Sequence, residues 1–258
     1  MTDNRAIGIF DSGLGGLTVV RELIKILPNE DIIYLGDTAR VPYGTRSKET
    51  IIKFSHEDAA FLLTKKVKII IIACNTASAM AGYRLKNSLK VPVFDVIIPA
   101  LKEAKRISIK GKIGTIGTRA TILSGAYKGT HGTPCPLLVP FIEEGILKGS
   151  AISHVLKDYL APLKKKKIDT LILGCTHYPI IKNIIQKEIG SKVKLINPEK
   201  IVAEDAREYL TQKGMLTGKK TNGKRQYFVT DLTERFRKVA EMFLGHSLNG
   251  SIKKVTLG

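Results

Sequence analysis

Residues 69–79 read IIIIACNTASA, and the fold follows from how that stretch is built. Four consecutive isoleucines and an alanine are too short to cross a bilayer. Apolar side chains at every position, not at alternate ones, describe a strand covered on both faces, the kind found in parallel sheets. The run stops at Cys74-Asn75-Thr76, where an open α/β sheet offers its strand ends to ligands. A second apolar run, residues 171–174 (LILG), stops in the same way at Cys175-Thr176-His177. Two strands of one chain therefore each deliver a cysteine beside polar partners. The two thiols are expected to face one another across a single small-molecule site.

Composition agrees with an aliphatic α/β core. The chain has 258 residues, 43% of them hydrophobic but only 6% aromatic, with no tryptophan. That length can bury a full core as one large domain or two modest ones. No apolar segment follows the charges of the N-terminus, so no secretory signal is expected and the chain reads as a soluble cytoplasmic protein. The three cysteines, Cys74, Cys135 and Cys175, form no Cys-x-x-Cys pair, which argues against a zinc site or a disulfide framework. Cys135, between two prolines, reads as a small buried hydrophobe. The net charge of +19 is spread along the chain without an amphipathic basic helix or an aromatic-studded sheet. It reads as a solvated lysine-rich surface that also draws in anions, with nucleic-acid binding as the lesser alternative.

Taken in order, the pattern predicts strands at 6–10, 32–35, 69–73, 93–96, 112–117, 171–174, 193–196 and 227–231. Helices are expected at 17–27, 48–64, 78–89, 100–106, 153–163, 179–189, 202–212 and 234–243, and residues 219–225 read as flexible. The glycine-rich turn Asp11-Ser12-Gly13-Leu14-Gly15-Gly16 fails as a phosphate loop, because leucine replaces the Walker lysine and Thr18 stands where a third fingerprint glycine would fall. It reads instead as a tight turn that aims Asp11 and Ser12 into a cleft. Residues 7–12 and 113–118 resemble each other at an offset of 106, and the two cysteines stand 101 apart, a faint internal duplication. The expected fold is thus two pseudo-symmetric α/β domains with mainly parallel sheets, residues 1–97 plus 208–258 and residues 98–207, with the site between them.

Two opposed thiols suit one reaction type. A thiolate acts as base and a neutral thiol opposite as acid, so that a proton leaves one face of a carbon and another arrives on the opposite face. Both cysteines are expected at strand-to-helix junctions, where the helix N-terminus favours the thiolate. Asp11 and His177 are natural proton partners for them. Ser12, Asn75, Thr118 and Thr176 can donate hydrogen bonds to carboxylates. Tyr43, in the loop VPYG, is either packing or a ligand contact.

The blocks FDSGLGG (residues 10–16), VPYG (41–44), ACNTAS (73–78), GTRAT (117–121), CPLLVPFIEEG (135–145) and GCTHYP (174–179) occur in that order. In this the chain resembles the bacterial glutamate racemases of the aspartate/glutamate racemase family, from about residue 7 to residue 210. The resemblance implies cofactor-independent interconversion of L- and D-glutamate for peptidoglycan synthesis, with no metal. It makes Cys74 the thiol acting on D-glutamate and Cys175 the thiol acting on L-glutamate. Asp11 would assist Cys74, and His177 with Glu143 would assist Cys175. Asp11, Ser12, Tyr43, Gly44, Asn75, Thr76, Thr118, Thr121, Thr176 and His177 match the substrate-binding positions. Only ten residues precede Asp11, so activation by a cell-wall precursor is not expected. An aspartate racemase is the alternative enzyme, disfavoured by the glycine loop and by the surroundings of His177. A basic DNA- or gyrase-binding protein is the non-enzyme alternative, and a homodimer is a possible assembly.

Overall fold

The computed structural model describes residues 2–257. Seven elements open the chain: β1 (Ile7–Asp11), α1 (Leu17–Ile26), β2 (Ile32–Gly36), α2 (Lys48–Thr64), β3 (Ile69–Ile72), α3 (Asn75–Ser88) and β4 (Val93–Asp95). There follow α4 (Ile97–Ile107), β5 (Ile113–Gly117), α5 (Arg119–Leu123), β6 (His131–Pro134), α6 (Leu138–Glu143), α7 (Ser150–Lys165), β7 (Thr170–Gly174), α8 (Lys182–Ile189) and β8 (Lys194–Ile196). The chain closes with α9 (Pro198–Gln212), β9 (Arg225–Val229), α10 (Phe236–Leu244) and β10 (Ser251–Lys254). Every strand pair is parallel.

The isoleucine run does what its composition requires. Side chains alternate across a strand, so Ile69 and Ile71 enter the apolar cluster around α1 while Ile70 and Ile72 enter the one that includes residues of α2 and α3. All four are fully buried, each contributing about 1.5–3 kcal/mol of apolar burial. A strand with water on one face would need polar residues at alternate positions.

The strands form two sheets, ordered β10-β9-β2-β1-β3-β4 and β6-β5-β7-β8. With β1, β2, β3 and β4 aligned to β5, β6, β7 and β8, the second order reproduces the run β2-β1-β3-β4 at one end of the first. The chain direction across each sheet reverses at β1/β3 and at β5/β7, the switch points where loops part and ligands bind in open α/β sheets. The C-terminal strand β9 returns to pair with β2 and so extends the first sheet. The expected divisions at 97/98 and 207/208 fall inside α4 and α9, two continuous helices that also pack on one another; residues 1 and 258 lie outside the described residues.

Three local expectations are corrected. Residues 131–134 and 251–254 are strands that the pattern did not reveal; both lie at sheet edges, where few side chains are buried and no alternation is enforced. Residues 219–225 are held in place: Lys219 Nζ pairs with Asp31 at 2.5 Å and Arg225 Nη1 donates to the Glu30 carbonyl at 2.7 Å. One lysine of this basic chain is internal. Lys68 pairs with buried Glu30 at 2.6 Å and donates to the carbonyls of Asp3 and Met215 at 2.8 Å each, tying both segments to the start of β3.

Candidate active site

The four loops after β1, β3, β5 and β7 meet where the two sheets face one another. Gly15 shows how closely: a Cβ there would lie 2.3 Å from Thr176 Oγ1 and 2.6 Å from His177 Nδ1. Only a glycine lets the β1–α1 turn press on the β7 loop. Thr18 Oγ1 adds a hydrogen bond to the Thr176 carbonyl at 3.3 Å. On the other side, the hydroxyls of Thr76, Thr118 and Thr121 form a triangle with edges of 2.9, 3.1 and 2.9 Å that joins α3 to α5. The structure therefore brings Asp11, Ser12, Asn75, Thr76, Thr118, Thr121, Thr176 and His177 together with both thiols.

Cys74 is the N-cap of α3, and its Sγ accepts from the Ala77 N–H at 3.4 Å and donates to Ser12 Oγ at 3.3 Å. Burial and then the neighbouring Asp11 charge push this thiol up to about 12, against the helix end and Ser12. The expectation that the helix N-terminus produces a thiolate at Cys74 is thus corrected: at 6% exposure, loss of solvation outweighs one helix end. Negative charge on Cys175 acts in the same direction, so the two sulfurs lie within electrostatic reach of one another. Asp11 is 1% exposed; Oδ2 accepts the Gly13 N–H at 3.0 Å, whereas Oδ1 is buried with no hydrogen-bond partner among the described residues. Burial raises the Asp11 carboxyl, opposed by His177 and by the backbone N–H groups of residues 16, 13 and 12.

Cys175 has a different setting. A short 3₁₀ turn, Tyr178–Ile181, follows it, and α8 begins only at Lys182. The expected helix field is replaced by a side chain: Cys175 Sγ lies 3.8 Å from His177 Nδ1, and His177 Nε2 lies 2.9 Å from Glu143 Oε1. Burial alone would lower His177, but hydrogen bonds and charge from Cys175 and Glu143 outweigh it and push the imidazole up to about 10. Phe243 of α10 meets the His177 ring edge-on, with centroids 4.9 Å apart. One site thus holds a thiol kept protonated and a sulfur beside a cation.

Tyr43 and Gly44 separate. The Tyr43 ring is buried, and its hydroxyl donates to Asp37 and, at 3.0 Å, to Asp58 Oδ2, with Arg40 Nε bonded to Asp37 at 2.6 Å. The phenol is an anchor for the loop, and what the loop brings to the site is Gly44, where a Cβ would lie 2.9 Å from Thr118 Cβ. Sequence reasoning missed Tyr127. It is 5% exposed and donates its hydroxyl to Asn75 Oδ1 at 2.6 Å, orienting the amide from across the cleft. Its stretch, GAYKGTHG, carries no motif beyond a turn-rich composition. Cys135 is fully buried and raised by burial, consistent with packing.

Two open parallel sheets whose switch points share one buried site, with a cysteine from each, define a two-domain α/β racemase architecture. The chain belongs to the Asp/Glu/Hydantoin racemase family, which its residues 7–206 match. It is 43% identical over 263 residues to the glutamate racemase of Geobacter metallireducens, covering 98% of this chain and 97% of that protein. It is 46% identical to the glutamate racemase of Aquifex pyrophilus, over 93% and 94% of the two chains. The crystal structure of glutamate racemase from Francisella tularensis in complex with D-glutamate superposes with a TM-score of 0.92 at 43% identity, covering 98% of each chain. No helix among the described residues is long and apolar enough to cross a membrane.

Proposed function

We propose that the protein interconverts L- and D-glutamate by moving protons between its two thiols, each placed on its own unit of the fold. The observation that carries this reading is the unequal pair: Cys74, whose sulfur meets only Ser12 and the start of α3, and Cys175, whose sulfur lies 3.8 Å from an imidazole that is itself 2.9 Å from Glu143. With L-glutamate bound, the Cys175 thiolate removes the α-proton; the S–H bond forms as the Cα–H bond breaks, and the electron pair passes into the substrate carboxylate. The Cys74 S–H proton then goes to the opposite face of Cα. The cycle leaves Cys175 protonated and Cys74 as thiolate, the state needed for the reverse reaction from D-glutamate.

The remaining groups take roles that their positions support. The free Oδ1 of Asp11 accepts from the substrate ammonium and, in the reverse direction, holds the proton shared with Cys74. The Thr76, Thr118 and Thr121 hydroxyls and the Asn75 amide receive carboxylate oxygens, a preorganised set of donors that needs little reorganisation during proton transfer. Both cysteines are only 6% exposed and the two units touch directly, so substrate enters when they part. Residues 1–97 plus 208–258 and 98–207 are proposed as the moving bodies, with α4 and α9 as the connections that bend. Supply of D-glutamate to peptidoglycan, a cytoplasmic location and glutamate as the partner belong to this reading.

The test is racemisation by Cys74→Ser and Cys175→Ser. Each is expected to lower kcat/KM by about 10²–10⁴-fold, the usual contribution of a positioned acid or base. Turnover within threefold of wild type in either variant rejects the reading, and preference for aspartate over glutamate would redirect it to the other branch of the family.

A further inference from the structure

The turn that carries Glu143 is gripped from the opposite sheet. Glu143 is the last residue of α6, a helix of six residues, too short to hold its final turn unaided. A helix end leaves carbonyls to be satisfied, and three of the last four are met locally. The N–H groups of Glu144, Ile146 and Gly145 bond to the carbonyls of Pro140, Phe141 and Ile142 at 3.0, 2.8 and 2.9 Å. Gly145, at φ +78°, supplies the left-handed residue that such a turn requires. The carbonyl left over is that of Glu143. Arg235 Nη2 donates to it at 3.3 Å, and Arg235 Nη1 reaches the two carboxylate oxygens of Glu144 at 3.0 and 2.9 Å.

Arg235 comes from across the cleft. It is the N-cap of α10, in the connection between β9 and β10 of the first sheet. The base of that connection is fixed by the Thr38 hydroxyl, which accepts the Asp231 N–H at 2.8 Å and donates to the Asp231 carbonyl at 2.6 Å. About two turns further along α10, Phe243 meets the His177 ring. A single helix attached to the first sheet thus touches both members of the His177–Glu143 pair, the ring through Phe243 and the carboxylate-bearing turn through Arg235. Arg235 itself takes no part in the proton transfer.

We propose that Arg235 is a positioning residue for proton transfer at Cys175: by clamping the end of α6 it keeps the Glu143 carboxylate on His177 Nε2. The Glu143 side chain is 40% exposed, so water competes for it, and its 2.9 Å contact to His177 lasts only while the backbone beneath it is held. A guanidinium suits the task because its planar fork serves a carboxylate and a carbonyl together, which a lysine ammonium does not. The effect on turnover rests on the glutamate racemase reading; the clamp on Glu143 does not.

A double-mutant cycle on the intact protein tests the proposal. Arg235→Ala is expected to lower kcat about three- to fivefold, the scale of an exposed charged contact, with KM nearly unchanged because Arg235 does not touch substrate. In a Glu143→Ala background the same substitution should change kcat by less than about 1.5-fold, since the group it positions is gone. An unchanged kcat in Arg235→Ala, or a full repeat of the loss in the Glu143→Ala background, overturns the proposal. Lys238→Ala removes the same charge from an exposed position on α10 and should leave kcat unchanged; a loss equal to that of Arg235→Ala would report only the general field of the surface and overturns it too. A second readout needs no turnover. In ¹⁵N-edited spectra the His177 Nε2–H resonance, assigned by its absence in His177→Asn, should broaden or vanish in Arg235→Ala and persist in Lys238→Ala. A resonance unaltered by Arg235→Ala overturns the clamp. Its loss in a protein whose wild type does not racemise glutamate would support the clamp and reject the functional reading instead.

Discussion

Replacing His177 with asparagine removes the cation beside Cys175; the shorter amide overlays Nδ1, which faces the sulfur, and gives up the Nε2 contact to Glu143. The imidazole ordinarily titrates near 6.5 and stands at about 10 here, held up by Cys175 and Glu143 against burial. That rise corresponds to roughly 5 kcal/mol of favourable interaction, at about 1.36 kcal/mol per pH unit. Glu143 is 40% exposed, so solvent screens its share. Assigning about 3–4 kcal/mol to the sulfur predicts a loss of about 10²–10³-fold in kcat/KM for His177→Asn. Glu143→Gln, which removes only the screened partner, should cost about tenfold or less.

The assay must be read with one thermodynamic constraint. The two enantiomers have equal free energies, so kcat/KM falls by the same factor in both directions whichever half of the site is damaged. The asymmetry appears in isotope effects. With α-deuterated L-glutamate, proton removal by the impaired Cys175 becomes limiting and the primary deuterium effect on kcat/KM grows. With α-deuterated D-glutamate, removal by Cys74 remains fast relative to the later step, and the effect shrinks. A loss below threefold, or an effect that grows from the D side instead, refutes the assignment of His177 to Cys175.

Three further outcomes follow from the contacts. Gly15→Ala places a methyl 2.3 Å from Thr176 Oγ1 and is expected to lower kcat/KM more than tenfold with the far-ultraviolet circular dichroism unchanged; wild-type activity would show that the two loops need not close. Tyr127→Phe deletes the 2.6 Å bond to Asn75 Oδ1, worth about 1 kcal/mol, and should raise KM about fivefold with little change in kcat; an unchanged KM would remove Tyr127 from substrate positioning. Glu199 has its folded-state pKa raised from 4.5 to about 7, so the folded state keeps a proton that the unfolded chain has lost. Stability should therefore fall as pH rises from 4.5 to about 7, by roughly 3 kcal/mol, and then level off. Glu199→Gln should flatten that segment of a chemical-denaturation pH profile, and an identical profile would show the carboxyl to be solvated.

The elements most legible in the chain were those whose side chains are buried on a fixed period. The isoleucines of β3 and the residues of β7 could sit only in a strand covered twice, and the apolar faces of α1 and α7 marked helices. The duplication seen in residues 7–12 and 113–118 became a matching strand order because both stretches occupy the same place in their sheets. Edge strands β6 and β10 left no such trace. Their residues are mostly exposed, and only pairing with a distant strand makes them strands.

The sequence by itself determined which residues stand at the strand ends: two cysteines, their hydroxyl neighbours, Asp11 and His177. Tertiary structure decided their chemical states. Cys74 lies at a helix N-terminus that argues for a thiolate, yet burial and Asp11, 63 positions away in the chain, keep it a thiol. Tyr43 stands in a loop beside the site, yet the carboxylates of Asp37 and Asp58 claim its hydroxyl, while Tyr127 reaches Asn75 from the other unit. The physical reason is that local spacing sets which way a side chain points, whereas its solvation and electrostatic neighbours come from segments that only folding brings near.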